Sequence, residues 1–388
     1  MKGFQINWRR NTRRWHILPG PQHMPIRATK RALTDLINRD AGKAFLLPSL
    51  SHACGQDVIL RHVKPQITIS RTNEGGDSGI FKVTAEVNVD GGYRPVSFCL
   101  HTAKGPELND LHSGIFTNLR GLRLINDRYV VEPFCFGEGR FTYHRAEGEL
   151  AVYSTEWLEG FIEVNMLNAA YLMDLDSEGS LPHPWACARP RQVLINDPAV
   201  PFLDRMVEET RAQIKIAGSM VKILALYFNP ATGEGIRDWL VNAGDFVYRQ
   251  AEDGSPTLKL ITARGFSRLP DCELDNPDLN KFIFTWRILN RLENSVTHQD
   301  RGAPGFEWYA IYPFTVPDIH GGIIAALKER YGGEHHVPEL LRWANSYLSR
   351  KSSLMPVSGS REFYRDAEFY GRADGLALRF QLDIEQLK

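Results

Sequence analysis

"PQITISRTNEGGDSGIFKVTAEVNVDGGYRPVSFCLHTA", Pro65 to Ala103, alternates apolar and polar residues in three runs separated by two glycine-rich turns. The first run is Pro65–Asn73 and the second is Ile80–Val89. Both carry the β-branched and aromatic side chains that suit a pleated, half-buried surface. Gly75-Gly76-Asp77-Ser78-Gly79 separates them. Asp90-Gly91-Gly92 is a hairpin signal, since such turns need residues tolerant of positive φ, and Tyr93–Ala103 is the third run. The stretch therefore reads as three consecutive strands.

Working outward, Glu107–Leu124 has helical character, and Arg128–Gly139 and Gly148–Gly160 resume the strand pattern. Beyond Phe161 the period changes. Phe202–Phe228 carries apolar residues at helical spacing, after Asn196-Asp197-Pro198 and before the stop signal Asn229–Gly233. Leu240–Leu269 reads as two short strands around a turn, and Asn276–Val296, Asp318–Gly333 and Val337–Arg350 read as helices. The tail, Arg361–Lys388, mixes aromatic, charged and alternating residues. The expectation is an α+β protein of two lobes with a cleft between them. Its parts are a basic N-terminal arm and helix at 1–45, a β-rich lobe at 46–159 and a helical lobe at 160–388.

Lysine plus arginine and aspartate plus glutamate each total 46, so no global charge imbalance points to nucleic acid or membrane. The longest apolar tract, Ile214–Phe228, is broken by Lys215 and Lys222, which argues against a bilayer span. No apolar signal segment is read at the start, and a reducing cytoplasm is the expected compartment. Five cysteines, Cys54, Cys99, Cys135, Cys187 and Cys272, form no C-x-x-C pair, and the histidines fall at no metal-ligand spacing. Asp271, Glu273, Asp275 and Asp278 are read as capping the Asn276 helix rather than holding metal, and Asp174, Asp176 and Glu178 as a solvated loop. Before the first acidic residue, Asp35, stand Lys2, Arg9, Arg10, Arg13, Arg14, Arg27, Lys30 and Arg31, with Trp8 and Trp15 among them. Such an arm suits RNA, DNA or another polyanion or, more simply, is an extended arm packed on acidic surface or a disordered one.

Four stretches resemble the protein-kinase-like fold of the aminoglycoside-phosphotransferase and choline-kinase group, over roughly Gln66 to Arg268. The turn Gly75-Gly76-Asp77-Ser78-Gly79 lies where that family covers phosphate. "PFCFGEG", Pro133–Gly139, resembles the segment leading into its fourth and fifth strands. "STEWLEG", Ser154–Gly160, is similar to the hinge that binds adenine through its backbone. Ala243-Gly244-Asp245-Phe246 resembles the catalytic loop after a long helix. Phosphoryl transfer is chiefly positioning and charge stabilisation. The resemblance therefore implies a catalytic carboxylate at Asp245. It also implies nucleotide contacts from Gly75, Gly76, Gly79, His101, Lys104, Glu156, Trp157, Leu158 and Arg264, with ATP or another nucleotide as ligand.

The same comparison marks what this chain lacks. Strand alternation puts His101 at the family's phosphate-gripping lysine, with Lys104 three residues on. Gln250 stands for the metal-binding Asn, Thr262-Ala263-Arg264-Gly265 for the segment with the final metal-binding Asp, and Ala243 for the His before Gly-Asp. An arginine neutralises phosphate but ligates no magnesium, so no metal ligand is expected. The reading that follows is a pseudokinase-like binding or regulatory protein, with a small-molecule or protein partner, no membrane and no nucleic acid. The alternatives are an active small-molecule phosphotransferase using Asp245, and a polyanion-binding scaffold using the arm.

Overall fold

The structure, a computed structural model, describes residues 4–9, 25–74, 78–143, 146–164, 216, 218–239, 245–250, 256–297 and 321–335. It is a mixed α/β protein in two compact units. One is Met1–Phe161 with Ile261–Gly265, and the other is Ile162–Leu260 with Phe266–Lys388.

The first unit contains β1 (Gln5–Arg9), α1 (Ile26–Asn38), α2 (Leu46–Cys54), β2 (Val63–Glu74), β3 (Ser78–Val89), β4 (Gly92–Ala103), α3 (Asn109–Ile125), β5 (Pro133–Tyr143) and β6 (Ala146–Glu156). The three strands of Pro65–Ala103 lie within two residues of where alternation places them. The β3–β4 hairpin closes through Asp90 at φ +53° and Gly91 at φ +85°, the left-handed pair that a two-residue hairpin turn requires. The last two strands are shifted from expectation, β5 running to Tyr143 and β6 ending at Glu156. The six strands are ordered β1-β2-β3-β4-β6-β5, all neighbours antiparallel except β1 beside β2.

Alternation assigns the faces. Phe81, Val83, Ala85 and Val87 of β3 point to a core shared with Phe98 and Leu100 of β4, Leu33, Leu36 and Ile37 of α1, and Leu46 and Leu50 of α2. Burying each of these large side chains contributes about 1.5–3 kcal/mol. The basic arm is thus partly structural. Trp8 of β1 meets Phe81 edge-on at 6.2 Å, with the Lys30 ammonium 4.9 Å from its ring centre. Asn38 Oδ1 accepts from the Phe4 amide at 2.6 Å, tying β1 to α1. Arg10, Arg13, Arg14 and Trp15 lie outside the described residues.

Glycine decides how closely α1 approaches β5. A Cβ on Gly137 would stand 2.9 Å from Leu36 Cδ1, and one on Gly139 would collide with the Ala32 carbonyl. The "GEG" of Pro133–Gly139 is therefore a docking strip for α1, where Ala28 and Ala32 pack with Phe141 and Leu150.

In the second unit, residues 218–226 are helical (α4), followed by β8 (Glu234–Arg237) and α5 (Pro277–Thr297), and residues 321–331 form α6. Lys222 and Glu329 pair at 2.9 Å. From α6, Arg330 donates to the Leu226 and Phe228 carbonyls and Tyr331 to Phe228, capping the end of α4, where helical carbonyls lack partners. Asn280 of α5, fully buried, donates to the Pro230 and Glu273 carbonyls and accepts from the Glu273 amide. The Leu240–Leu269 stretch contains β9 (Phe246–Gln250) and β10 (Pro256–Leu260), an antiparallel pair in a small sheet with β7 (Ile162–Glu163). β11 (Gly265–Arg268) pairs with β8. The expected helix at 202–215, Val337–Arg350 and the tail lie outside the described residues.

Gly139→Ala is expected to destabilise the first unit by about 1–3 kcal/mol through overpacking against the α1 backbone. Gly114→Ala on α3, where the added methyl meets nothing, is expected to be neutral or up to about 1 kcal/mol stabilising. Urea unfolding of both variants checks the contrast.

Candidate functional site

From Phe98 to Ala103, β4 is buried on both faces. Val96, Phe98 and Leu100 face α1 and α2, so Cys99, His101 and Ala103 face the other way, beneath α3. Register sets Cys99 opposite Thr155 and His101 opposite Tyr153 on β6, and His101 opposite Ile80 on β3. The His101 and Tyr153 rings stack at 4.5 Å and 5° between planes. From α3, His112 and Phe116 lean on the same tyrosine at 5.7 and 6.2 Å. His112 Nε2 lies 3.2 Å from Ser78 Oγ, tying α3 to the start of β3. Asn109, at the start of α3, grips β6 twice, accepting from the Ala151 amide at 2.7 Å and donating to the Glu149 carbonyl at 3.0 Å.

These surroundings decide the charge of His101. Thr155 Oγ1 donates to the Glu156 carbonyl at 3.3 Å and lies within hydrogen-bond distance of His101 Nε2, also at 3.3 Å. Burial, and then repulsion from His112, hold the His101 pKa down at about 3. The residue at the expected phosphate-gripping position is thus a neutral stacked ring. Cys99 beside it has its thiol pushed up to about 12 by burial, which keeps it protonated and unreactive.

Two residues along β3 from Ile80, Lys82 occupies the same sheet face, opposite Cys99. Its ammonium donates to Glu159 Oε2 at 3.0 Å and sits 4.5 Å from the Trp157 ring centre. Trp157 Nε1 donates to the same carboxylate oxygen at 2.6 Å. Those two donors hold the Glu159 carboxyl below its ordinary pKa range. The Glu159 side chain is 80% exposed and that of Lys82 28%. An ion pair this open contributes about 1 kcal/mol at most.

The hinge-like backbone around Trp157 is partly occupied. The Glu156 amide donates to the Glu132 carbonyl, and the Glu156 carboxylate accepts from the Glu132 amide. Leu158 O accepts from the Phe161 amide, closing a turn in which Gly160 has φ +76°. Gly79 pairs with Glu74 and Thr102 in the sheet, while Gly75 and Gly76 lie outside the described residues. Lys104 follows β4 directly, half-buried. Arg264 follows Ala263, whose carbonyl accepts from Asn118 of α3 at 2.9 Å, so α3 holds the Ile261–Gly265 segment in the first unit.

Asp245 belongs to the second unit, where it is 1% exposed at the head of β9. Ala243 and Gly244 lie outside the described residues, and Gln250 is the last residue of β9, paired with Pro256. Asp271 pairs with Arg287, Asp278 with Lys281, and Asn276 Oδ1 accepts from the Leu279 amide. That acidic run therefore caps and braces α5. Among the described residues no group of three or more His, Cys, Asp or Glu is placed to hold a metal ion. No described helix is long and apolar enough to cross a membrane.

Sequence reasoning singled out neither His112 nor Lys82. His112 sits in "NDLHSGIF" with no spacing signal, and Lys82 reads as one polar position of an alternating strand. Comparison with protein-family models and with curated proteins returns no match.

Lowering the pH should cost stability through His101. Its folded pKa lies below its unfolded value of 6.5, so the unfolded state binds the extra proton. Stability is expected to fall by about 1.4 kcal/mol per pH unit as pH drops from about 6.5 toward 3. Urea unfolding at pH 7, 6, 5 and 4 reads this slope, and His101→Phe should flatten it.

Proposed function

We propose that the chain is a kinase-fold protein whose nucleotide site binds without transferring phosphate, a pseudokinase-like binding or regulatory protein. The observation that carries this reading is the setting of His101. It lies on the third strand of the antiparallel run β2-β3-β4, under the helix that follows that strand. In the kinase-like arrangement, a lysine there is held by a glutamate from that helix. Here the pair is replaced by a neutral histidine and the histidine of α3 that repels its protonated form. A site so built supplies no positive charge from these positions to the transferred phosphoryl group, where catalysis is mostly electrostatic.

Other features support the reading. β6 is inserted between β4 and β5, so the chain leaves the sheet beside the strand of His101, at the hinge-like Glu156–Leu158. The connection from β10 returns to α3 through Asn118 and Ala263 at the segment expected to carry a metal-binding aspartate, and the residues there are Thr262-Ala263-Arg264. Under this reading Asp245 serves the second unit as a buried polar group at the start of β9, rather than as a base in turnover.

Calorimetric titration with ATP, with and without Mg²⁺, tests the proposal, alongside an assay for released phosphate. Binding of similar strength in both conditions, with no phosphate released, is the expected outcome. Mg²⁺-dependent binding with turnover abolished by Asp245→Asn would overturn it in favour of an active phosphotransferase.

A further inference from the structure

Lys82, Trp157 and Glu159 meet at bonding distance from two separate segments of chain. Lys82 projects from the middle of β3 on the face of His101, and Trp157 and Glu159 lie just past the end of β6. Across the sheet its row runs Ser70, Lys82, Cys99, Thr155. The next row holds Thr84 and Ser97, joined through their hydroxyls at 2.8 Å. This part of the face is polar and carries the Lys82 cation, whereas the row of His101, Tyr153 and Phe136 is aromatic and packed beneath α3.

We propose that Lys82 is the anion anchor of the nucleotide site, and that Glu159 is an internal competitor occupying it when no ligand is bound. This rests on the nucleotide-binding reading above and adds which residue takes the phosphates and what holds it in reserve. The Glu159 carboxylate presents to Lys82 the kind of oxygen a phosphate would present. It is mostly in solvent, so turning it away disturbs nothing packed. Trp157 holds the ammonium by a cation–π contact and donates its indole N–H to the same carboxylate oxygen, so it stays beside Lys82 when that carboxylate turns away. A planar ring beside a cation is what a base-plus-phosphate ligand requires: the ring gives a stacking surface and the ammonium a charge-assisted hydrogen bond. The charge absent at His101 is thereby supplied one strand away, from a lysine that holds a phosphate without a magnesium-binding partner set.

The test titrates the full chain and two variants with adenosine, ATP and inorganic tripolyphosphate at low salt. Lys82→Met keeps the apolar stem against Trp157 and removes the charge. It is expected to weaken ATP and tripolyphosphate about tenfold or more and to leave adenosine unchanged. Glu159→Gln, at an exposed position with no folding role, is expected to strengthen ATP and tripolyphosphate severalfold. Unchanged ATP affinity in both variants, with adenosine and ATP still bound, would overturn the anchor and leave the nucleotide reading standing. No binding of any of the three probes would overturn the nucleotide reading and the anchor with it.

Discussion

β4 must satisfy two faces at once, and the arrangement around it follows from that. Twelve of its residues are paired with β3 and five with β6. Phe98 and Leu100 must meet α1 and α2, while Cys99, His101 and Ala103 must fit beneath α3. A slip of one residue would exchange the two sets and drive the histidine into an apolar core. Long pairing on one side and a tight hairpin turn at Asp90-Gly91 prevent it. The glycines of β5 let α1 close the first face, and Asn109, His112 and Asn118 fasten α3 over the second.

That constraint also sets the chemistry. A cation under α3 would need a carboxylate partner to offset the cost of leaving water. The chain places there a ring that stays neutral, stacks on Tyr153 and bonds to Thr155. The position thereby serves folding, as a satisfied polar group between sheet and helix. The Lys82 cation on the same face stands where solvent reaches it, held by Glu159 and Trp157.

Much of the sheet was legible because its cues are local. Alternation marked β2, β3 and β4, and the Asp-Gly pair marked their second turn. β1 was not separated from the basic arm, since five residues of mixed polarity acquire meaning only from a partner about sixty residues away. "PFCFGEG" was legible as a motif, but the reason for its glycines, the approach of the Ala32 backbone, lies in a helix a hundred residues earlier. The site was less legible for the same reason. His101 was placed correctly on its strand, but its neutrality depends on Tyr153, Thr155 and His112, which only the fold brings together. Lys82 acquires its setting only from register, which puts it on the face of His101, and from the turn after β6, which brings Trp157 and Glu159 to it.

The central claim is that His101, at the position expected to grip phosphate, is a neutral structural group. The most direct measurement is an NMR titration of the His101 ring carbons and nitrogens, with and without saturating ATP. The account predicts a neutral ring from pH 7 to pH 5, with the same signals when ATP is bound. Protonation near pH 6.5, or a change to the doubly protonated ring on adding ATP, would contradict it.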